Sequence, residues 1–330
     1  MIQQKTAYIT GATGCVGRNL VDILLEKQWK IIVLHRKSSD LTKLAGLHVE
    51  CREVELHDYY SVNNALHSKA DVLFHIAANV THNPVHHQNQ FRDNVLSTDV
   101  LSSMCATQHI VDRFIYCSTG AVARTDNFSL EQINTIRSGY IKTKKLSELI
   151  IRKAIVHGGL DAVILRPIIV VGKYDYNNYS QIFNLIKRGK LTRSIPGELA
   201  FCNARDIAAA HLSAYYNGKK GETYYLDGEY TTWHDFCCRI ANLLNVKKPK
   251  KPLPLWFYYL VSHLMLEWQH ITKKEALITP ELLDLMCLET YDVVTTEEKI
   301  KTINDLRYSS SSLDISLNEC YTWLKDNNKI

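Results

Sequence analysis

An apolar strand pattern, Ala7-Tyr8-Ile9, leads into the segment Thr10 to Gly17 (TGATGCVG), which passes directly into a helical pattern from Asn19 to Leu25. That order obliges the chain to open with a strand, a turn and a helix. Gly11 permits the tight turn, Gly14 lets the backbone approach a bound anion, and Gly17 lets the helix pack closely on the strand. The helix then starts with free amides and the positive end of its dipole, which suits a pyrophosphate. Thr13, Cys15 and Val16, set among these glycines, are expected at the same dinucleotide. Strands and helices alternate onward to about Gly172, which predicts an α/β fold with a doubly wound parallel sheet.

The second strand bears on which dinucleotide is held. Lys30 to Leu34 reads as a buried parallel strand, and His35 stands where such folds usually carry an acid for the ribose 2′-hydroxyl, about twenty residues past the glycines. Arg36, Lys37 and Ser38 follow, with no carboxylate before Asp40. Two cations suit a 2′-phosphate, so NADP(H) is the expected cofactor, with NAD(H) as the alternative.

Farther along, Ser118-Thr119 ends the strand Arg113 to Cys117, and Tyr140 and Lys144 stand four residues apart. Four residues place the phenol and the ammonium on one helical face, where the cation is expected to pull the phenol below its usual value of about 10. A hydroxyl that polarises a carbonyl oxygen, a tyrosine that moves its proton and a nicotinamide that carries hydride would together make an oxidoreductase site.

With these motifs in order, the chain resembles the extended short-chain dehydrogenase/reductases of the NAD-dependent epimerase/dehydratase superfamily. The likeness spans nearly the whole chain: Gly11, Gly14 and Gly17; Phe74 to Ala78; Asn94; Ser118-Thr119; Tyr140 and Lys144; Leu165-Arg166-Pro167; and Asn203 to Ala208. It implies cofactor contacts at Ala77, Ala78, Asn94, Arg166 and Pro167, and Lys144 on the nicotinamide ribose. Counting back from Val122, it points to Thr119 as the catalytic hydroxyl, with Ser118 as the alternative. Glu55 and Leu56 fall where the family has an Asp-Leu pair near the adenine, and Glu for Asp is a departure.

Sugar-nucleotide dehydratases of the family carry an acidic pair after the catalytic Thr, whereas this chain has Gly120-Ala121, so water expulsion is not expected. Epimerases recycle a tightly held NAD, which Arg36 and Lys37 argue against. A net reductase or dehydrogenase fits better. An NAD-dependent sugar-nucleotide epimerase and a dinucleotide-sensing module without turnover are the alternatives; the second commonly lacks the Tyr or Lys present here.

The chain has 330 residues, 46% hydrophobic and 22% charged, and a net charge of +5, a balance that argues for two lobes and against a nucleic-acid partner. Residues 1–172 plus 203–228 are expected to form the dinucleotide-binding domain, and 173–202 plus 229–330 the substrate lobe. Nine cysteines without a Cys-x-x-Cys read as reduced thiols. The first strand begins so near Met1 that no signal peptide is expected, and the expected compartment is the cytoplasm. His75, His82, His86 and His87 read as loop and pocket-edge residues with no metal, and Ser147-Glu148 as ordinary helix.

Lys247 to Pro252 (KKPKKP) precedes the apolar run Leu253 to Leu266, whose aromatic-rich part from Trp256 to Leu266 is expected to be a helix and which is too short to span a bilayer. It is expected to pack in the small lobe or to wall an apolar cleft, with peripheral membrane contact less favoured. This arrangement resembles the 3β-hydroxysteroid dehydrogenase-like branch, whose substrates are bulky apolar alcohols and ketones. A small apolar molecule is the expected substrate, and a homodimer is compatible with the reading.

Overall fold

Residues of β1 (Thr6–Thr10) alternate between two apolar layers: Ala7 and Ile9 enter one, and Tyr8 enters the other. The computed structural model describes residues 4–176, 178–288 and 294–330. The same alternation runs through β2 (Lys30–His35), β4 (Ala70–His75), β5 (Val111–Cys117) and β6 (Ala162–Pro167), so both faces of the sheet are covered. With β3 (Glu50–Glu53) and β9 (Thr223–Leu226) these strands form a parallel sheet in the order β3-β2-β1-β4-β5-β6-β9. The doubly wound prediction is met. The order reverses between β1 and β4, and ligands of such sheets sit in the crevice that opens there.

Helices Cys15–Glu26 and Ala204–Asn217 cover one face with Leu20, Val21, Leu24, Ile207 and Leu212. Helices Ser97–Gln108 and Gly139–Gly158 cover the other with Leu101, Met104 and Ile151. Ser138 caps the last of these through the Ile141 amide, which fixes its start one turn ahead of Lys144. The Ala204–Asn217 helix and β9 return to the main sheet, as the sequence predicts.

A second sheet, in the order β10-β8-β7, is built from Ile169–Val171 (β7), Glu198–Asn203 (β8) and Glu229–Thr232 (β10). Its core gathers Phe201, Trp233, Phe236, Leu317 and Trp323. The aromatic helix runs from Leu255 to Thr272, longer than expected.

Candidate active site

The glycine turn is shaped by close backbone contacts. Gly11 has φ +76°, and a Cβ there would lie 2.7 Å from the Ala77 nitrogen. A Cβ on Gly17 would lie 2.2 Å from the Gly11 carbonyl oxygen. Gly14 caps the Cys15–Glu26 helix with no side chain over it, so the first amides stay open to an anion. Thr10 Oγ1 accepts from the Ile76 and Ala77 amides, each at 3.1 Å, and so ties the end of β1 to the loop carrying Ala77 and Ala78. Thr13, Cys15 and Val16 are half-buried on the turn. The Cys15 thiol donates to the Lys173 carbonyl, and burial pushes it well above the ordinary thiol range. A side-chain-free cradle over a helix N-terminus fits a dinucleotide pyrophosphate.

Beyond β2, His35 Nδ1 donates to the Arg36 carbonyl at 3.2 Å. Arg36 and Lys37 are exposed, and among the described residues neither forms an ion pair. Asp40, the first carboxylate after them, accepts from the Thr42 amide. Glu55 is exposed with His57 at 3.9 Å, and Leu56 packs toward the sheet.

Tyr140 and Lys144 share the Gly139–Gly158 helix, and both face the carboxyl end of β5. Lys144, 1% exposed, donates to the Cys117 carbonyl and lies 4.3 Å from the Tyr116 ring centre. Thr119 caps the short turn Gly120–Thr125 through the Ala121 amide. The expected lowering of the Tyr140 phenol is corrected. Burial is the largest influence and raises it above the ordinary tyrosine value, while the Lys144 charge and hydrogen bonding to Thr119 only partly offset that. The neighbouring His82 ring, edge-on at 5.4 Å between centres, is part of what encloses the phenol.

The two candidate hydroxyls are separated by what they touch. Ser118 Oγ donates to Glu148 Oε1 at 2.6 Å, inside a buried charge network. Glu148 is fully buried and bonds Arg166 at 2.6 Å, and Arg166 also grips Asp126, which Lys145 approaches at 2.8 Å. Burial opposes the charge on Arg166 and on Asp126, but hydrogen bonding to Glu148 and then Asp126 outweighs it and raises the guanidinium, while Arg166 and Lys145 hold the Asp126 carboxyl below its usual range. Glu148 is therefore not the ordinary helical residue expected, because a buried arginine from β6 needs it. The Arg166 side chain is taken up by this network, and Pro167 ends β6 beside it.

Asn94 is likewise occupied by protein. Its amide accepts from the Asn79 nitrogen at 2.7 Å and donates to the Asn79 carbonyl and to Thr143 Oγ1, each at 3.0 Å. It thus clamps the loop after β4 to the Tyr140 helix. Sequence reasoning also passed over Glu281, which is 2% exposed and joins the Gly139 amide (3.3 Å) to His87 (3.0 Å). No local pattern signals such a residue, since its partners lie more than a hundred positions away.

His75 is corrected from a loop or pocket-edge residue to a core one. It is 1% exposed, bonded to Thr10 and Thr98, and burial with the Lys144 charge pushes it down to about 3. His82 does sit at the site's edge. Among the described residues no three His, Cys, Asp or Glu side chains gather as a metal-binding group.

The aromatic helix is neither packed away nor shown to wall the cleft. Its protein-facing side carries Tyr258 and Gln269, bonded to the Ser194 carbonyl and to Asn83, and the buried Ser262, which bonds back to the Tyr259 carbonyl of the same helix, whereas Leu260 stands on the opposite side. Turned 100° per residue, Leu260 lies about half a turn from Ser262.

A family model described as the NAD dependent epimerase/dehydratase family matches residues 7–226. The sterol demethylase protein B of Methylococcus capsulatus is 31% identical over 259 residues, 76% of this chain and 77% of that protein. A putative dihydroflavonol 4-reductase of Synechocystis is 27% identical over 265 residues, 76% of this chain and 75% of its own. Among solved structures, that of gox2253 superposes with a TM-score of 0.81 at 23% identity, covering 99% of this chain and all of the other.

Proposed function

This chain belongs to the NAD dependent epimerase/dehydratase family, and from that premise we propose that it is an NADP(H)-linked reductase or dehydrogenase of a bulky apolar secondary alcohol and its ketone. The observation that carries the reading is that Ser118 is committed to Glu148 while Thr119, Tyr140 and Lys144 meet at the end of β5. A nicotinamide, when bound, supplies or accepts the hydride. Thr119 orients the substrate oxygen, and Tyr140 donates the proton to it during reduction or takes it back during oxidation. The raised Tyr140 phenol is protonated near neutral pH, the state an acid needs at the start of ketone reduction. Lys144 spends one of its three protons on the Cys117 carbonyl and keeps the others for the nicotinamide ribose.

Arg36 and Lys37 hold the 2′-phosphate, a role supported by their exposure without ion-pair partners among the described residues. The apolar substrate class is supported by the sterol in the name of the Methylococcus relative. Gly120 supports the absence of dehydration chemistry, because even a Cβ there would meet the Tyr225 ring at 2.7 Å. Following NADPH and NADH oxidation with a 3-ketosteroid and with cyclohexanone tests the reading. It expects NADPH to be used in preference and the ketosteroid to be reduced with the higher kcat/KM. Interconversion of a UDP-sugar by protein that retains NAD through gel filtration would overturn it.

A further inference from the structure

The outward side of the helix Leu255–Thr272 is apolar along its whole length. Leu264 and Trp268 are each 62% exposed and Ile271 is 76% exposed, and Trp256, Phe257 and Leu260 are exposed beside them. At 100° per residue these six side chains fall in one arc of about 120°. Glu267 is the one polar side chain that falls within it, and the exposed His263 and His270 border it on one edge. An exposed apolar stripe of this extent is costly in water and marks a contact surface.

The ends of the helix say what covers it. Lys247, Lys248, Lys250 and Lys251 precede it and Lys273 and Lys274 follow it, all exposed and, among the described residues, none in an ion pair. Trp256 and Trp268 stand near the two ends of the arc, and indoles favour the boundary between headgroups and acyl chains. Cations at both ends of an apolar arc suit a helix lying in the plane of an anionic lipid surface. Eighteen residues make a helix of about 27 Å, and no helix of the described residues is long and apolar enough to cross a membrane.

We propose that this face docks the protein on an anionic membrane surface, with the arc of Trp256, Leu260, Leu264 and Trp268 entering the headgroup region and the flanking lysines pairing with lipid phosphates. The surface is independent of the substrate reading. On its inner side the same helix bonds Asn83 through Gln269 at 2.7 Å, and Asn83 follows His82, whose ring meets Tyr140. Docking therefore sets the proposed active site close to the lipid.

Co-sedimentation of the full chain with vesicles of phosphatidylcholine and phosphatidylglycerol in equal parts, and with phosphatidylcholine alone, tests this. Binding is expected to the anionic vesicles, to weaken with added salt, and to fall about tenfold or more in the double variant Leu260→Glu, Leu264→Glu. Because both positions are exposed, the melting temperature and NADPH affinity of the variant should stay unchanged. A second reading needs no variant. Trp29, Trp233 and Trp323 are buried, so quenching of tryptophan emission by brominated lipid reports on Trp256 and Trp268. Failure of the wild-type chain to bind anionic vesicles, or absence of quenching, would overturn the proposal. So would a stable dimer in sedimentation velocity that the double variant dissolves, since a second copy would then cover the face.

Discussion

Ser118 and Thr119 are neighbours with different surroundings, and their alanine variants should part accordingly. Thr119→Ala should lower kcat by about a hundredfold or more with the fold intact, the scale of losing one donor to a developing oxyanion. Ser118→Ala removes a buried hydrogen bond to a charged carboxylate, so it should cost about 1.5–3 kcal/mol in urea unfolding and change kcat far less. The reverse pattern would move the catalytic role to Ser118. Arg36 allows an equally local test. Arg36→Ala should weaken NADPH binding by about 1.5–3 kcal/mol and leave NADH nearly unaffected, as fluorescence titration would measure. Equal losses for both cofactors would remove the 2′-phosphate from this position.

At the scale of elements, the turn between β1 and the Cys15–Glu26 helix is set by backbone contact. Gly17→Ala places a methyl group where a Cβ would be 2.2 Å from the Gly11 oxygen, so the helix must shift away from the turn. NADPH affinity should fall by about tenfold or more, with a lower melting temperature. Normal affinity would mean that the cradle has slack. This element was legible in sequence because glycine spacing and apolar runs are local signals. The Glu148-Arg166-Asp126 network was not, because a glutamate in a helix looks the same whether it meets water or an arginine on β6. The Leu255–Thr272 helix was legible as apolar, but hydropathy does not say which way an apolar face points. The Tyr140 spacing gave the right pairing and the wrong direction of shift, since burial by His82 and its surroundings is a tertiary property.

For the whole molecule, loss of stability in acid follows from histidines held neutral in the core. His75 and His211 are buried and pushed down to about 3 and about 4 by burial, against 6.5 for a free side chain. A depressed folded value means stability that is present above about pH 6.5 and lost as the pH falls toward those values. Each histidine should contribute a slope of about 1.4 kcal/mol per pH unit below pH 6, and His211→Gln should remove one such share in urea unfolding at pH 7 and pH 5. An unchanged slope would mean that His211 takes up its proton in the folded state.

The proposal that Tyr140 moves the proton while a bound nicotinamide moves hydride is tested most directly by Tyr140→Phe. A phenyl ring keeps the shape and cannot transfer a proton. With NADPH and a 3-ketosteroid, the variant should turn over about a thousandfold more slowly than the wild-type chain while binding NADPH with unchanged Kd. Turnover equal to that of the wild-type chain would contradict the account.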